Sequence, residues 1–430
     1  MHILHVNAAY TPFVGGAEIY ARQIAERLVR AGHQATVATT NAAEVEAFWN
    51  PRKQRLSAGN TSLKGVQVWR APIRYLPGAP LSLFVVRRLT VALSHFRLGA
   101  RFGAALSGLM PWVPTFERML HALADRFDLV HGINVALERT FIAAYQFAQQ
   151  HRLPFVATPF VHLGVPGSSY VAQNYTMPQQ LRPLRAADAV LVQTERERCA
   201  LQALGVAPER LHVLGMGVDP QALSGGDKHR FHAHLGLAPE MPVVLFIGML
   251  TKDKGAHHLI AASELLRSSS LLHALVLIGR AADEFEAIWA RMPSGIRQHV
   301  FRLGPLEETA ELKRDALAAA DVLALPSRVD SFGIVLLEAW LYAKPVVGAR
   351  AGGIPDVIAE GKDGLLVEYG DVKGLAEALA YLLRNPPVRE ALGQAGRAKV
   401  LAHHTWEHVF TRLMSIYDEV LRCHGRPSVA

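Results

Sequence analysis

The sequence predicts an α/β protein of two domains, each a mainly parallel sheet clothed by helices. Three observations predict it. The chain has 430 residues, 50% of them hydrophobic, which is more than one compact core accommodates. From the first residues onward, short apolar runs alternate with amphipathic stretches of helical period. This alternation is interrupted by glycines and Pro220 near Gly215 to Asp219 and starts afresh at Val243.

Ile3 to Val6 reads as a buried strand, Gly15-Gly16 as a turn, Ala17 to Arg30 as an amphipathic helix stopped by Gly32, and Ala35 to Thr39 as a second strand. That is a βαβ unit, and further strands follow at Leu129-Val130, Phe155 to Thr158 and Ala189 to Val192. Residues 72–118 break the rhythm, mixing Pro72, Pro77, Pro80, Pro111 and Pro114 with apolar residues and Arg87, Arg88, Arg97 and Arg101. Two readings of this segment stand: a surface helical insertion with solvated arginines, or a helix lying on an anionic bilayer or beside a lipid-like acceptor. The second cycle runs through Val243 to Ile247, a glycine turn, a helix from about Ala256, and Leu275 to Ile278. Strands follow at Val322 to Leu325, Pro345 to Gly348 and Leu365 to Val367, then a last helix, Trp406 to Leu421, with apolar and charged faces. The expected domains are 1–215 and 216–405, the first completed by a helix over 406–430.

Composition narrows the partners. A net charge of +8 and a pI near 9.6 favour acidic ligands such as nucleotides or anionic head groups. No basic tract with interleaved stacking aromatics and no zinc-finger spacing occurs, so no nucleic-acid partner is expected. Cys199 and Cys423 make neither a disulfide framework nor a metal cluster, and suit a reducing cytosol. The opening Met-His-Ile-Leu-His-Val carries no signal core, and no apolar run nears the roughly 20 residues of a spanning helix; the expected location is cytoplasmic. Hydrolase Gly-x-Ser-x-Gly and phosphate-cradling Gly-x4-Gly-Lys-Ser/Thr strings are absent.

The sharpest string is Asp330-Ser-Phe-Gly-Ile-Val-Leu-Leu-Glu338, preceded by Leu325-Pro326-Ser327 and followed by Lys344-Pro345-Val346-Val347. Its layout is strand, loop, helix. A helix beginning near Phe332 or Gly333 aims free N–H groups and its positive dipole end at an anion such as a phosphate. Asp330 and Glu338 are strong acceptors for the vicinal hydroxyls of a sugar or ribose. In isolation the string also reads as a capping Asp330 and a solvated Glu338.

Taken with Gly352-Gly-Ile-Pro-Asp356 and Gly248-Met-Leu-Thr-Lys-Asp-Lys-Gly255, the string resembles the large group 1 (family 4-like) of retaining GT-B glycosyltransferases. In the N-terminal half the resemblance includes Gly15-Gly16-Ala17-Glu18, Arg30-Ala31-Gly32-His33, Ala187-Asp188 and Gly215-Met216-Gly217-Val218-Asp219, in the same order. It implies two Rossmann-like domains facing a central cleft, the last helix crossing back to the first. A nucleoside-diphosphate sugar binds the C-terminal domain there, with a glycan, lipid-linked or small-molecule acceptor entering from the N-terminal side. It implies no metal and no cofactor, and no Asp-x-Asp string occurs. By motif position Asp330 approaches the donor sugar, Glu338 the ribose, the backbone of Phe332, Gly333 and Ile334 the diphosphate or sugar, and Lys254 the diphosphate. Gly15 and Gly16 let the first loop come close to the phosphates, and His162 matches the active-site histidine near the reacting sugar. Transfer keeps the anomeric configuration, the leaving diphosphate helping to deprotonate the acceptor, so that the protein orients and stabilises charge.

Two positions depart from the family. Its Gly-Arg-Leu is Gly248-Met249-Leu250 here, and the first carboxylate of its Glu-x7-Glu is Asp330. Methionine carries no charge, so Lys252, Arg280 or Arg328 substitutes on the diphosphate or its stabilisation is weakened. The alternatives to an active hexosyltransferase are a catalytically silent nucleotide- or glycan-binding scaffold and another GT-B enzyme such as a sugar-nucleotide epimerase or a phosphorylase.

Overall fold

The structure, a computed structural model, describes residues 1–13, 15–94, 96, 99–123 and 127–426, with backbone alone at 99–101. The chain divides into two compact units. One comprises Met1–Val161, Tyr170–Leu214 and Phe410–Ala430; the other comprises His162–Ser169 and Gly215–Val409. His162, expected with the N-terminal half, therefore packs with the second unit, in a short excursion that carries no strand or helix pattern to betray it.

The first unit holds an eight-stranded sheet in the order β3-β4-β2-β1-β5-β6-β7-β8. Its strands are β1 (His2–Val6), β2 (Gln34–Thr40), β3 (Gly59–Leu63), β4 (Val66–Ala71), β5 (Leu129–Ile133), β6 (Phe155–Thr158), β7 (Ala189–Val192) and β8 (Leu211–Val213). All neighbours are parallel except β3 and β4. The central strands are buried almost throughout, as a sheet covered on both faces requires. The helix Gly16–Arg30 buries Tyr20, Ala21, Ile24, Ala25 and Leu28, one stripe at helical spacing.

The hairpin β3–β4 turns on Lys64 and Gly65, both at positive φ (50° and 83°), the geometry that two-residue hairpins favour. The insertion at 72–118 is helical: Leu81–Ser94, Gly99–Ser107 and Phe116–His121. Of its arginines, Arg87 is neither solvated nor lipid-facing. It donates to both oxygens of buried Glu138 at 2.9 Å and to the Asn174 carbonyl at 2.9 Å, because an enclosed carboxylate needs a cation. Arg88 is exposed, and Arg97 and the Arg101 side chain lie outside the described residues.

The last helix, Trp406–Cys423, begins in the second unit, where Trp406 lies against Gly217; a Cβ there would come within 2.9 Å of Trp406 Cα. From Phe410 it belongs to the first unit, where Arg412 donates to the Leu214 carbonyl at 2.9 Å. The helix expected over 406–430 ends at Cys423, where the chain turns through Gly425 at φ +65°, and residues 427–430 lie outside the described residues.

The second unit holds a six-stranded, all-parallel sheet in the order β11-β10-β9-β12-β13-β14. Its strands are β9 (Val243–Ile247), β10 (Ala274–Ile278), β11 (Val300–Leu303), β12 (Val322–Leu325), β13 (Val346–Ala349) and β14 (Gly364–Val367). Each of β9, β10, β12 and β13 is buried along its whole length. The order is that of the doubly wound dinucleotide fold, reversing between β9 and β12.

Candidate active site at the switch point of the second sheet

Where strand order reverses, the loops leaving the two neighbouring strands diverge, and the crevice outside their carboxyl ends takes ligands. Here the loops are 248–255 after β9 and 326–333 after β12. They touch because Gly255, at φ +75°, has no side chain: a Cβ there would lie 2.0 Å from the Pro326 carbonyl oxygen. The Arg328 N–H donates to the Asp253 carbonyl at 3.0 Å, and its guanidinium to Asp253 Oδ1 at 2.6 and 2.9 Å while lying over the Tyr369 ring.

Across the same junction Lys254 Nζ donates to Asp330 Oδ1 at 2.6 Å. Burial pushes the Asp330 carboxyl up, but Lys254 and the Ser327 hydroxyl outweigh it and hold the group below its usual range. Asp330 Oδ2 is buried without a hydrogen-bond partner. His162 stands in the field of this pair; burial, then Lys254, pushes its imidazole down to about 4, against the pull of Asp330 and Asp253. It is therefore neutral at physiological pH. A ¹H–¹⁵N titration is expected to show His162 unchanged from pH 8 to 5 and titrating near pH 4; an inflection near 6.5 would place it outside this field.

The Gly352-Gly353 turn fixes these parts to one another. Gly352, at φ +57°, donates its N–H to the Gly164 carbonyl at 2.8 Å, and Gly353 donates to the Asp330 carbonyl at 2.8 Å. A Cβ on Gly352 would lie 2.3 Å from the Asp330 oxygen. The turn thus ties the His162 segment to the Asp330 loop.

The helix Ile334–Leu341 starts one or two residues later than expected, with Gly333 as N-cap at φ +86° and no side-chain cap. Asp330 is consequently no helix cap, and the first N–H groups remain open to an anion. Phe332 is 4% exposed, its ring against His404, so it can offer a ligand only backbone. Glu338 is not a solvated helix residue: it is fully buried and accepts from buried Lys313 at 2.8 Å.

Met249 is half-buried and brings no charge; its carbonyl accepts the Thr251 N–H at 3.0 Å. Arg280 is exposed just past β10 and, with Trp289, Arg302, Gly304 and Pro305, lines a depression of about 690 Å³. Gly15 and Gly16 belong to the first unit. A Cβ on Gly15 would meet Glu18 Oε2 at 2.3 Å, whereas Gly16 opens its helix with nothing within 4 Å. The sequence places Ser327 in the string before Asp330 without giving it a role and does not single out Lys313, which lies 25 positions from Glu338 with no local pattern to link them. Among the described residues no group of three His, Cys, Asp or Glu is arranged to hold a metal ion.

Residues 227–399 match the family model for glycosyl transferases group 1, and residues 15–217 that for the glycosyl transferase 4-like domain. The D-inositol 3-phosphate glycosyltransferase of Corynebacterium efficiens is 32% identical over 294 residues, 64% of this chain and 68% of its own length. The chain belongs to the group 1 glycosyltransferases. The alpha-maltose-1-phosphate synthase of Mycolicibacterium smegmatis shares 32% identity with this chain over 254 residues, 55% of the chain and 64% of the relative. The chain spans 56 to 65% of the length of three such curated relatives. The solved structure of Anabaena HepE in complex with UDP-glucose superposes with a TM-score of 0.72 at 19% identity, covering 97% of this chain and 100% of that one. That likeness establishes the GT-B fold. Lys254, Asp330 and Glu338 all lie within the group 1 match, and Gly15 opens the 4-like match.

Proposed function

We propose that this glycosyltransferase moves a hexose, with retention of configuration and without a metal ion or other cofactor, from a uridine or guanosine diphosphate sugar to a glycan, glycolipid or small-molecule acceptor. The second unit binds the donor and the first the acceptor. The observation that carries the reading is the Lys254–Asp330 bridge across the two switch-point loops, with Asp330 Oδ2 left unpartnered and neutral His162 in its field. In this reading Oδ2 accepts from donor sugar hydroxyls and His162 hydrogen-bonds the sugar near the reacting carbon. Lys254 and the N–H groups at Gly333 and Ile334 meet the diphosphate, whose departing charge they stabilise. The leaving diphosphate takes the acceptor proton, so no protein base is required. The complex of Anabaena HepE with UDP-glucose supports the donor class.

Calorimetric titration in EDTA with UDP, GDP, ADP and their hexose conjugates tests it. One nucleotide is expected to bind, magnesium to add nothing, and Lys254→Ala to weaken binding at least about tenfold through loss of a charge-assisted contact. Binding that requires magnesium would overturn the metal-free step. The silent-scaffold reading is favoured by one observation: Lys254 and Arg328 are already engaged by carboxylates, and Met249 offers no charge. Nucleotide binding without transfer to any acceptor would establish it.

We also propose a cytoplasmic location at the inner membrane face. Leu81, Phe84, Val85 and Leu89 on the helix Leu81–Ser94, together with Phe96 and Phe102, are 48 to 71% exposed, and Arg88 is exposed among them. Among the described residues no helix is long and apolar enough to cross a membrane. The wild-type protein is expected to float with anionic vesicles at low salt, and Phe84→Ser with Phe102→Ser to remain unbound; equal flotation of both would remove this surface from the reading.

A further inference from the structure

The pair Lys313–Glu338 is oddly built for a purely structural role. Both side chains are enclosed, 6% and 1% exposed, and Lys313 satisfies only Oε1, at 2.8 Å. Glu338 Oε2 is buried with no partner. Glu308, 7% exposed and on the loop entering the helix Glu311–Ala319, adds a second negative field. Enclosing an ion pair repays its desolvation only when the remaining lone pairs are satisfied. An enclosed carboxylate with one open oxygen, on the helix whose N-terminus lies at the switch point, is an acceptor waiting for donors.

We propose that Lys313 is a positioning residue that holds Glu338 by one oxygen and favours its charged form, leaving Oε2 for the vicinal hydroxyls of the donor ribose. The proposal rests on the nucleotide-sugar reading. A vicinal diol presents two O–H donors, which an ionised carboxylate accepts and a protonated one accepts only in part. Oε2 is closed to solvent, so ribose binding displaces the side chains over it. Burial, with a smaller push from Glu308, holds the Glu338 carboxyl above its usual range on balance, and Lys313 opposes that rise. On the helix Pro386–His403, which also packs on Ile334–Leu341, Lys399 is bonded to Asp363 and lies over the Trp340 ring, and Arg389 is paired with Asp321 at 3.1 Å. Lys313 is thus the cation bonded to Glu338. Without it the carboxyl stays protonated to higher pH, and binding that needs the ionised form recovers only as pH rises.

The test measures affinity for UDP, or for GDP or ADP if wild type binds that nucleotide instead, and for its 2′,3′-dideoxy form, from pH 6 to 9. Wild type is expected to prefer the ribonucleotide by at least about tenfold, the worth of a hydrogen bond to a charged group. Lys313→Met is expected to lose much of that preference at the acid end of the range and to recover it as pH rises, while Lys313→Arg keeps it throughout. A change in thermal stability alone, with the preference and its pH profile intact, would overturn the proposal by showing Lys313 to be structural. If Lys313→Met does not fold, wild type decides: equal affinity for both forms means Glu338 does not read the ribose, and the proposal falls while the nucleotide reading stands. Failure of wild type to bind any nucleotide removes both.

Discussion

Lys254→Met is expected to lower kcat/KM for sugar transfer by about a hundred- to a thousandfold, the range seen when one preorganised group facing developing charge is removed. Two effects act together. The variant takes away the cation nearest the departing diphosphate in the proposed reaction, and Met249 cannot replace it because a thioether carries no charge. It also strips Asp330 of its counter-ion. The carboxylate then keeps the cost of burial without the attraction that outweighs it, and shifts towards its protonated form. Asp330→Asn isolates the second effect, since it leaves Lys254 in place and removes the charge from the acceptor. A loss shared between kcat and KM in Lys254→Met, against one confined to the sugar-bearing donor in Asp330→Asn, is the expected pattern. UDP itself lacks the hexose, so Asp330→Asn should bind it as wild type does. If Lys254→Met retains full kcat/KM, Arg328 or Arg280 carries the diphosphate and the bridge is only a loop fastener.

The sequence exposes the parts of this fold in which local pattern and burial agree. The bounds of β6, β7, β9 and β12 match the expected strands residue for residue, because every position in them is buried and each is entered from a proline or an aspartate. Four strands, β3, β4, β8 and β11, escape for the opposite reason. In β3 four of five residues are exposed, β4 mixes buried and exposed positions, and in β8 and β11 only the first residue is buried, so none presents a fully enclosed apolar run. At the site, the string from Asp330 to Glu338 is legible because a glycine-started helix after a strand has a sequence signature. Its pairings are not: Lys254, itself read from the sequence, lies 76 positions from Asp330, and Lys313 lies 25 from Glu338, separations at which only the sheet order decides who meets whom. The excursion of His162 into the second unit is illegible for a related reason, since backbone bonds such as Gly352 to Gly164, rather than side-chain periodicity, hold it.

Tyr417→Ala is expected to cost about 3–5 kcal/mol, the range for removing a large buried ring, and to unfold the first unit some 10 °C earlier or more. Tyr417 is fully buried on the last helix, and its hydroxyl lies 2.6 Å from His131 Nδ1. His131 Nε2 lies 2.7 Å from Thr158 Oγ1, which lies 3.2 Å from the Tyr20 hydroxyl. The helix is therefore fastened to the sheet through β5 and β6 by one polar chain inside the core. Tyr417→Phe keeps the ring and breaks that chain, for an expected 1–3 kcal/mol from the orphaned imidazole. Acid separates the two terms. Burial, and then His5, hold the His131 pKa well below its usual value, so the folded state favours the neutral ring. Its contribution is complete above the unfolded pKa of about 6.5 and falls by up to about 1.4 kcal/mol per pH unit below it. Glu18 and Glu197, whose buried carboxyls are pushed up to about 7, act with the opposite sign over the same range. The informative quantity is accordingly the difference between wild type and variant. Tyr417→Ala opens the imidazole to water and is expected to flatten the acid slope, whereas Tyr417→Phe, which leaves the ring enclosed, should keep it. Equal slopes in denaturant titrations at pH 7 and 5 would show that His131 is not held neutral by this helix.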